Sequence, residues 1–273
     1  MAVRRAAVAG SWYPDNPARL TQQLGRYLDR ADIGEIGDPV RAVIAPHAGL
    51  MYSGPVAAFS YKAAAGSGCA SAVLVGPSHY VPFRGVSLWP DGSWETPLGP
   101  IPVDEELGRA IREASNEIVE VPAAHGREHS LELQLPFIAH LLRGAAIVPL
   151  VMGHQTRATA FALGAALARA IAEQQRRVLL VASSDLSHYE DAKTAHALDG
   201  VVTGAVEALD PEALMTALEA EPRHACGGGP MVAVLDAARR LGSTSSRVLH
   251  YADSGDVSGD KSSVVGYMSA AIW

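Results

Sequence analysis

The sequence predicts an α/β fold, a mainly parallel central sheet flanked by helices. Three observations carry this. Short, fully apolar runs alternate with longer stretches of helical spacing, the pattern of strands and crossover helices. The runs stop at Pro or Ser, where the chain turns. A polar residue of the same kinds recurs just past those stops: Ala-Val-Ile-Ala-Pro-His47, Ala-Val-Leu-Val-Gly-Pro-Ser-His79, and Val-Leu-Leu-Val-Ala-Ser-Ser-Asp185-Leu-Ser-His188.

Taken in order, residues 16–31 have helical spacing, with Leu20, Leu24 and Leu28 on one face. Residues 41–46 read as a buried strand, 54–65 as the helix after the His47 turn, and 71–76 as a second buried strand. Residues 85–89 and 99–103 read as a hairpin around Asp91-Gly92. Residues 104–115 form a helix with Asp104 as its N-cap, and 130–143 form another. Then come strand 146–152, helix 156–174 and strand 177–183. Helices 192–209, 211–220 and 229–241 precede two closing strands, 247–253 and 263–273. No linker or repeat divides the chain, so residues 1–273 are read as a single domain.

Composition narrows the function classes. Hydrophobic residues are 48% and charged residues 19% of 273, an ordinary globular balance. A net charge of −7 without a basic stripe argues against nucleic-acid binding. Apolar stretches are interrupted well before the roughly 18 residues a membrane helix needs. The N-terminus lacks the apolar run of a signal peptide, so a cytoplasmic protein is expected. Two cysteines, Cys69 and Cys226, are too few for a disulfide framework.

Ligands of open α/β sheets bind beyond the carboxyl ends of the strands. Parallel strands would therefore bring His47, His79, Asp185 and His188 to one crevice, as a metal site or an acid/base site. Imidazole is the commonest side-chain ligand for Zn, Cu, Fe and Ni. Asp185 and His188 stand three residues apart, so the carboxylate can orient the ring, or simply cap a helix. His129 and Glu132 share that spacing, with Ser130 as a possible cap and Glu132 in a first helical turn. Cys226, in His224-Ala-Cys-Gly-Gly-Gly-Pro230, precedes an apolar helix. A thiol at a helix N-terminus has a lowered pKa, which reads as a reactive thiol or a metal ligand. Trp12-Tyr13-Pro14 reads as plain packing or as a pocket wall. His125, His140, His154, His196 and His250 have no comparable context.

Together the blocks Ala-Gly-Ser-Trp12-Tyr-Pro, Pro-His47-Ala-Gly, Gly-Pro-Ser-His79-Tyr, Glu-His129-Ser-Leu-Glu-Leu-Gln-Leu-Pro, Ser-Ser-Asp185-Leu-Ser-His188 and Ala-Cys226-Gly-Gly-Gly-Pro resemble the signature of the MEMO family. Prokaryotic members are grouped with AMMECR-like and radical-SAM-like proteins, which the resemblance implies as partners. Their fold is similar to that of class III extradiol dioxygenases, which hold Fe(II) with two histidines and a carboxylate. The resemblance implies a metal held by His47, His79 and Cys226, with Fe(II) or Cu(I) expected ahead of Zn. It places His188 as an acid/base group, with Asp185 and His129 beside it. Cys226 stands where the dioxygenases have glutamate. A thiolate is softer than a carboxylate and oxidisable, which argues against ring cleavage and leaves a redox role. Alternatives are an oxidoreductase acting on a small aromatic substrate, a peptide-binding module, and a hydrolase with Cys226 as nucleophile.

Overall fold

The computed structural model describes residues 2–37 and 39–273. In chain order the strands are β1 (Val3–Arg4), β2 (Ala42–Ala45), β3 (Ser71–Pro77), β4 (Val86–Leu88), β5 (Ser93–Trp94) and β6 (Ile101–Pro102). They continue as β7 (Ile118–Val119), β8 (Ala146–Met152), β9 (Val178–Ser183), β10 (His188–Glu190), β11 (Ser246–Asp253) and β12 (Val264–Ile272). The helices are α1 (Pro17–Arg30), α2 (Leu50–Ala64), α3 (Glu105–Ala114), α4 (Pro122–Gly126) and α5 (Leu135–Leu141). They continue as α6 (Arg157–Ala172), α7 (Ala192–Glu207), α8 (Pro211–Ala220), α9 (Gly228–Arg240) and α10 (Gly255–Ser258).

The architecture is α/β, as the sequence predicts. Strands β2, β9, β3 and β8 lie side by side and parallel in the middle of the large sheet. Its flanks are antiparallel: β12 pairs β2, and β4 pairs β8. The central strands read as unbroken apolar runs because both faces are covered. Alternate residues point to opposite faces. Ile44, Val73, Val148 and Leu180 pack under Leu163, Leu167, Met231 and Leu235 of α6 and α9. Val43, Leu74, Ile147 and Val181 pack under Leu20, Leu24, Ala57 and Phe137 of α1, α2 and α5. Asn16, Asp104 and Thr156 cap α1, α3 and α6 through side-chain oxygens. Among the described residues no helix is long and apolar enough to cross a membrane.

Three local expectations fail, each for a tertiary reason. The predicted hairpin does not form. Instead β4 joins the large sheet between β8 and β7, while β5 and β6 form a small sheet with β1. Gly92 adopts φ 81°, and a Cβ there would lie 1.9 Å from the Ala2 carbonyl oxygen, so this glycine admits the N-terminal strand. Helix α2 starts at Leu50 rather than residue 54. Gly54-Pro55 resembles a helix start, but Gly54 is small so that the Tyr27 ring of α1 can approach; a Cβ there would meet that ring at 2.6 Å. The helix expected over 130–143 is a 3-10 turn, Glu132–Gln134, followed by α5.

The 3-10 turn is held by a buried ion pair. Arg4 of β1, 3% exposed, pairs with the fully buried Glu132 carboxylate and lies over the Trp94 ring, 4.5 Å from its centroid. Its other nitrogens donate to the Glu128 carbonyl at 2.6 Å and the His125 carbonyl at 3.1 Å. Glu132 also accepts from the Ala7 N–H at 2.8 Å, the Val8 N–H at 3.0 Å and the Tyr13 hydroxyl at 2.8 Å. Every side-chain nitrogen of Arg4 and both carboxylate oxygens of Glu132 thus have a hydrogen-bond partner. Removing one partner strands the other in an apolar interior, at a cost of about 3–5 kcal/mol. Arg4→Met should lower stability by that order in urea unfolding. Adding Glu132→Gln should return part of the loss, so that a double-mutant cycle shows strong coupling.

His125 in α4 is also fully buried, its Nε2 3.0 Å from Ser87 Oγ. Burial, then the Arg4 charge, lower its pKa from 6.5 to about 4. Between those values the unfolded chain binds the extra proton, so stability is complete above pH 6.5 and falls as pH drops toward 4. The contribution at stake is about 3 kcal/mol. Unfolding free energies of His125→Gln measured at pH 7 and 4.5 should differ less than those of the unsubstituted protein.

Candidate metal centre

Strands β2, β3 and β9 end on the same side of the sheet, and the turns after them carry His47, His79 and the Asp185–His188 segment. Cys226 enters from the segment between α8 and α9. Together with Trp12 and His129 these side chains line one pocket of about 630 Å³. The structure therefore brings together all six site residues named from the sequence. Trp12 is a pocket wall, with its ring 4.4 Å from that of His129. Tyr80 and Tyr189 are 46% and 80% exposed, and Tyr189 stands at the pocket's edge.

The buried His47 ring is oriented by a chain of hydrogen bonds. The Tyr61 hydroxyl donates to Gln134 Oε1 at 2.8 Å, which fixes the amide. Gln134 Nε2 then donates to Ser183 Oγ at 2.8 Å, and Ser183 gives its one proton to the Ser130 carbonyl at 2.6 Å. Only an acceptor remains on Ser183 for His47 Nδ1, 2.9 Å away, so that ring nitrogen is assigned as the donor. Nε2 keeps its lone pair and lies 3.2 Å from Cys226 Sγ. Burial, then the neighbouring His79, push the His47 pKa well below 6.5, so the ring is neutral.

His79 is bounded by Glu128, whose Oε2 accepts its backbone N–H at 2.6 Å and whose Oε1 faces its Nδ1 at 2.8 Å. Burial opposes the Glu128 charge, but the His79 hydrogen bonds and charge outweigh it and hold the carboxyl at about 2. The His129 ring stacks on His79 at 4.4 Å, with Nδ1 3.2 Å from the Tyr80 hydroxyl. Burial, then His47 and His79, lower the His129 pKa to about 4, so this ring is neutral too.

Two expectations about the site are corrected. Asp185 neither caps a helix nor orients His188: its Oδ1 accepts the backbone N–H of His47 at 2.7 Å and of Ala48 at 3.2 Å, locking the His47 turn. His188 Nδ1 instead donates to the Leu186 carbonyl at 2.7 Å, in the short strand β10. There Tyr189 takes φ 64° and the register shifts, a bulge after which His188 and Tyr189 both line the pocket. The Cys226 thiol is raised in pKa, not lowered. Neighbouring groups desolvate it, the Asp185 carboxylate adds to the effect, and α9 begins only two residues later.

The donor atoms of His47, His79 and Cys226 all lie within 4.8 Å of one another, and so do those of His79, Glu128 and His129. The first group joins two imidazoles to a thiol, a set suited to transition metals. Sequence reasoning missed Ser183, Gln134 and Arg4, and gave Glu128 no role. It also read Ser130 and Glu132 as helix-start residues, whereas the Ser130 hydroxyl donates to the Pro77 carbonyl at 3.0 Å and Glu132 is buried. The one local hint was a Glu and a Gln inside an otherwise apolar run, 131–138.

Residues 4–271 match the family described as Memo-like protein. The chain is 40% identical to a MEMO1 family protein of Methanothermobacter thermautotrophicus over 272 residues, covering 97% of this chain and 98% of that one. MEMO1 family proteins of Thermotoga maritima and Aeropyrum pernix are each 39% identical, covering 99% and 100% of both chains respectively. Among solved structures, an uncharacterized Escherichia coli K12 protein, JW3007, superposes with a TM-score of 0.58, covering 84% of this chain and 99% of that one. At 18% identity that likeness is one of fold.

Ser183→Ala removes the acceptor for His47 Nδ1 and Gln134 Nε2 together. Leaving such buried donors unpaired costs about 1–3 kcal/mol. The variant should melt at a lower temperature and lose the single orientation of the His47 ring, seen as exchange broadening of its imidazole signals by NMR.

Proposed function

The chain belongs to the Memo-like protein family, and we propose that its pocket binds one transition-metal ion through His47, His79 and Cys226 in a redox or metal-handling role. The observation that carries this is the close approach of two ring nitrogens and one sulfur from three separate turns, with His47 Nε2 3.2 Å from Cys226 Sγ. Two imidazoles and a thiolate suit Fe(II) or Cu(I), and Zn after them. Such an ion supplies a redox-active or Lewis-acid centre with positions left over for a ligand from the pocket.

The surrounding residues support that role. Desolvation keeps the Cys226 thiol protonated without a cation, so binding exchanges its proton for the metal. His188 commits Nδ1–H to a carbonyl, which leaves Nε2 as a proton acceptor at the pocket wall. The aromatic side chains of Trp12 and Tyr189 suit a small organic molecule or a peptide side chain as occupant. Cys226 in place of a carboxylate favours electron transfer or metal handling over sustained ring cleavage with oxygen, which would oxidise the thiolate.

Anaerobic loading with Fe(II) or Cu(I), followed by desalting and elemental analysis, tests the reading. We expect about one ion per chain in the unsubstituted protein and at least a tenfold weaker hold in His47→Ala, His79→Ala and Cys226→Ser. His188→Ala should keep its metal. Full metal content in all three ligand variants would sink the assignment.

A further inference from the structure

We infer that Glu128 is the positioning residue of this centre: its carboxylate sets the tautomer and direction of the His79 ring so that Nε2 is presented to the ion. The inference rests on the metal reading above. Glu128 is 1% exposed, and its two oxygens meet three N–H groups. Oε2 accepts from the His79 backbone at 2.6 Å. Oε1 meets the His79 ring at 2.8 Å and accepts from the Ser130 backbone at 2.9 Å. A carboxylate has no proton to give, so the ring Nδ1 is the donor, and the neutral ring that ligates has its lone pair on Nε2. One residue thus holds both the turn that carries His79 and the rotation of its ring. Metal-bound histidines commonly need such a partner on the second nitrogen.

Glu128 is itself braced from the far end of the chain. Arg4 donates to the Glu128 carbonyl at 2.6 Å and ion-pairs with Glu132. The orienting carboxylate therefore sits on a segment tied to the buried Arg4–Glu132 pair.

The same geometry could be read as a second ion site, since His79, Glu128 and His129 offer donors within 4.8 Å of one another. The hydrogen bonds argue otherwise. A cation on Oε1 would have to displace the Ser130 N–H and would face the positive ends of two backbone dipoles. His129 Nδ1 is already engaged by the Tyr80 hydroxyl at 3.2 Å.

The test is Glu128→Gln, compared with the unsubstituted protein. The amide places an NH₂ where an oxygen accepted. In either orientation that NH₂ opposes a backbone N–H, of Ser130 at one oxygen's place or of His79 at the other's, so the amide cannot hold the turn and the ring as the carboxylate does. Cu(I) alone, titrated anaerobically against a chromophoric chelator, should bind about 10–100-fold more weakly to the variant, with the same stoichiometry at saturation. ¹⁵N NMR of the metal-free proteins, at a pH where the ring is neutral, should show His79 protonated on Nδ1 alone in the unsubstituted chain and as a mixture of tautomers in Glu128→Gln, with the His47 tautomer the same in both. Circular dichroism and the melting curve establish that the variant folds. Should it not fold, the unsubstituted protein decides alone, because a neutral His79 ring protonated on Nε2 there overturns the inference. Unchanged Cu(I) affinity in a folded Glu128→Gln protein overturns it as well. A stoichiometry of two ions falling to one in the variant does so in favour of a second site. Failure of the unsubstituted protein to bind Cu(I) removes the metal reading along with it, a result distinct from these.

Discussion

Strands β2, β9 and β3 pair directly and in parallel, with Ala45 opposite Ser183 and Val75 opposite Ala182. Their carboxyl ends are therefore level. Both faces of these strands are packed, so a slip of one residue would exchange every side chain between two cores of different shape. His47, His79 and Asp185 are placed by this ladder before any side chain of the pocket contributes. The site is a consequence of backbone pairing, and the polar residues around it refine what the pairing has already brought near.

That refinement is demanding, because the polar groups must be satisfied in a largely apolar setting. The buried His47 ring is reached through Ser183, Gln134 and Tyr61, each with its donors and acceptors accounted for. Asp185 locks the turn of one histidine through backbone N–H groups. Glu128 meets both the backbone and the ring of another. Two acids of the same pocket therefore act on different parts of the ligand-bearing turns. Neither is free to serve as a surface charge.

The strands and the turn histidines were legible because their signals are local: an apolar run, then Pro or Ser, then His. The cap at Asp104 and the glycines after Cys226 are signals of the same kind. What escaped was whatever depends on a distant partner. Arg4 meets Glu132 across 128 positions, and His79 meets Glu128 across 49. Strand β1 has only two residues and exists because Ser93–Trp94 and the small Gly92 receive it. The direction of the Cys226 shift was misjudged for a related reason. The helix start is visible in sequence, whereas the desolvation and the Asp185 carboxylate that overrule it come from elsewhere in the chain.

The pairing of Arg4 with Glu132 also bears on how the protein is made. A chain synthesised from its amino end carries that guanidinium unmatched until residue 132 has left the ribosome. Strand β2 finds no ladder neighbour until β9 and β12 emerge, more than 130 residues later. Contacts this remote in sequence close slowly and late. The nascent chain thus has no early substructure that already contains the pocket, and a message truncated before β12 would yield a polypeptide lacking the strand that borders β2.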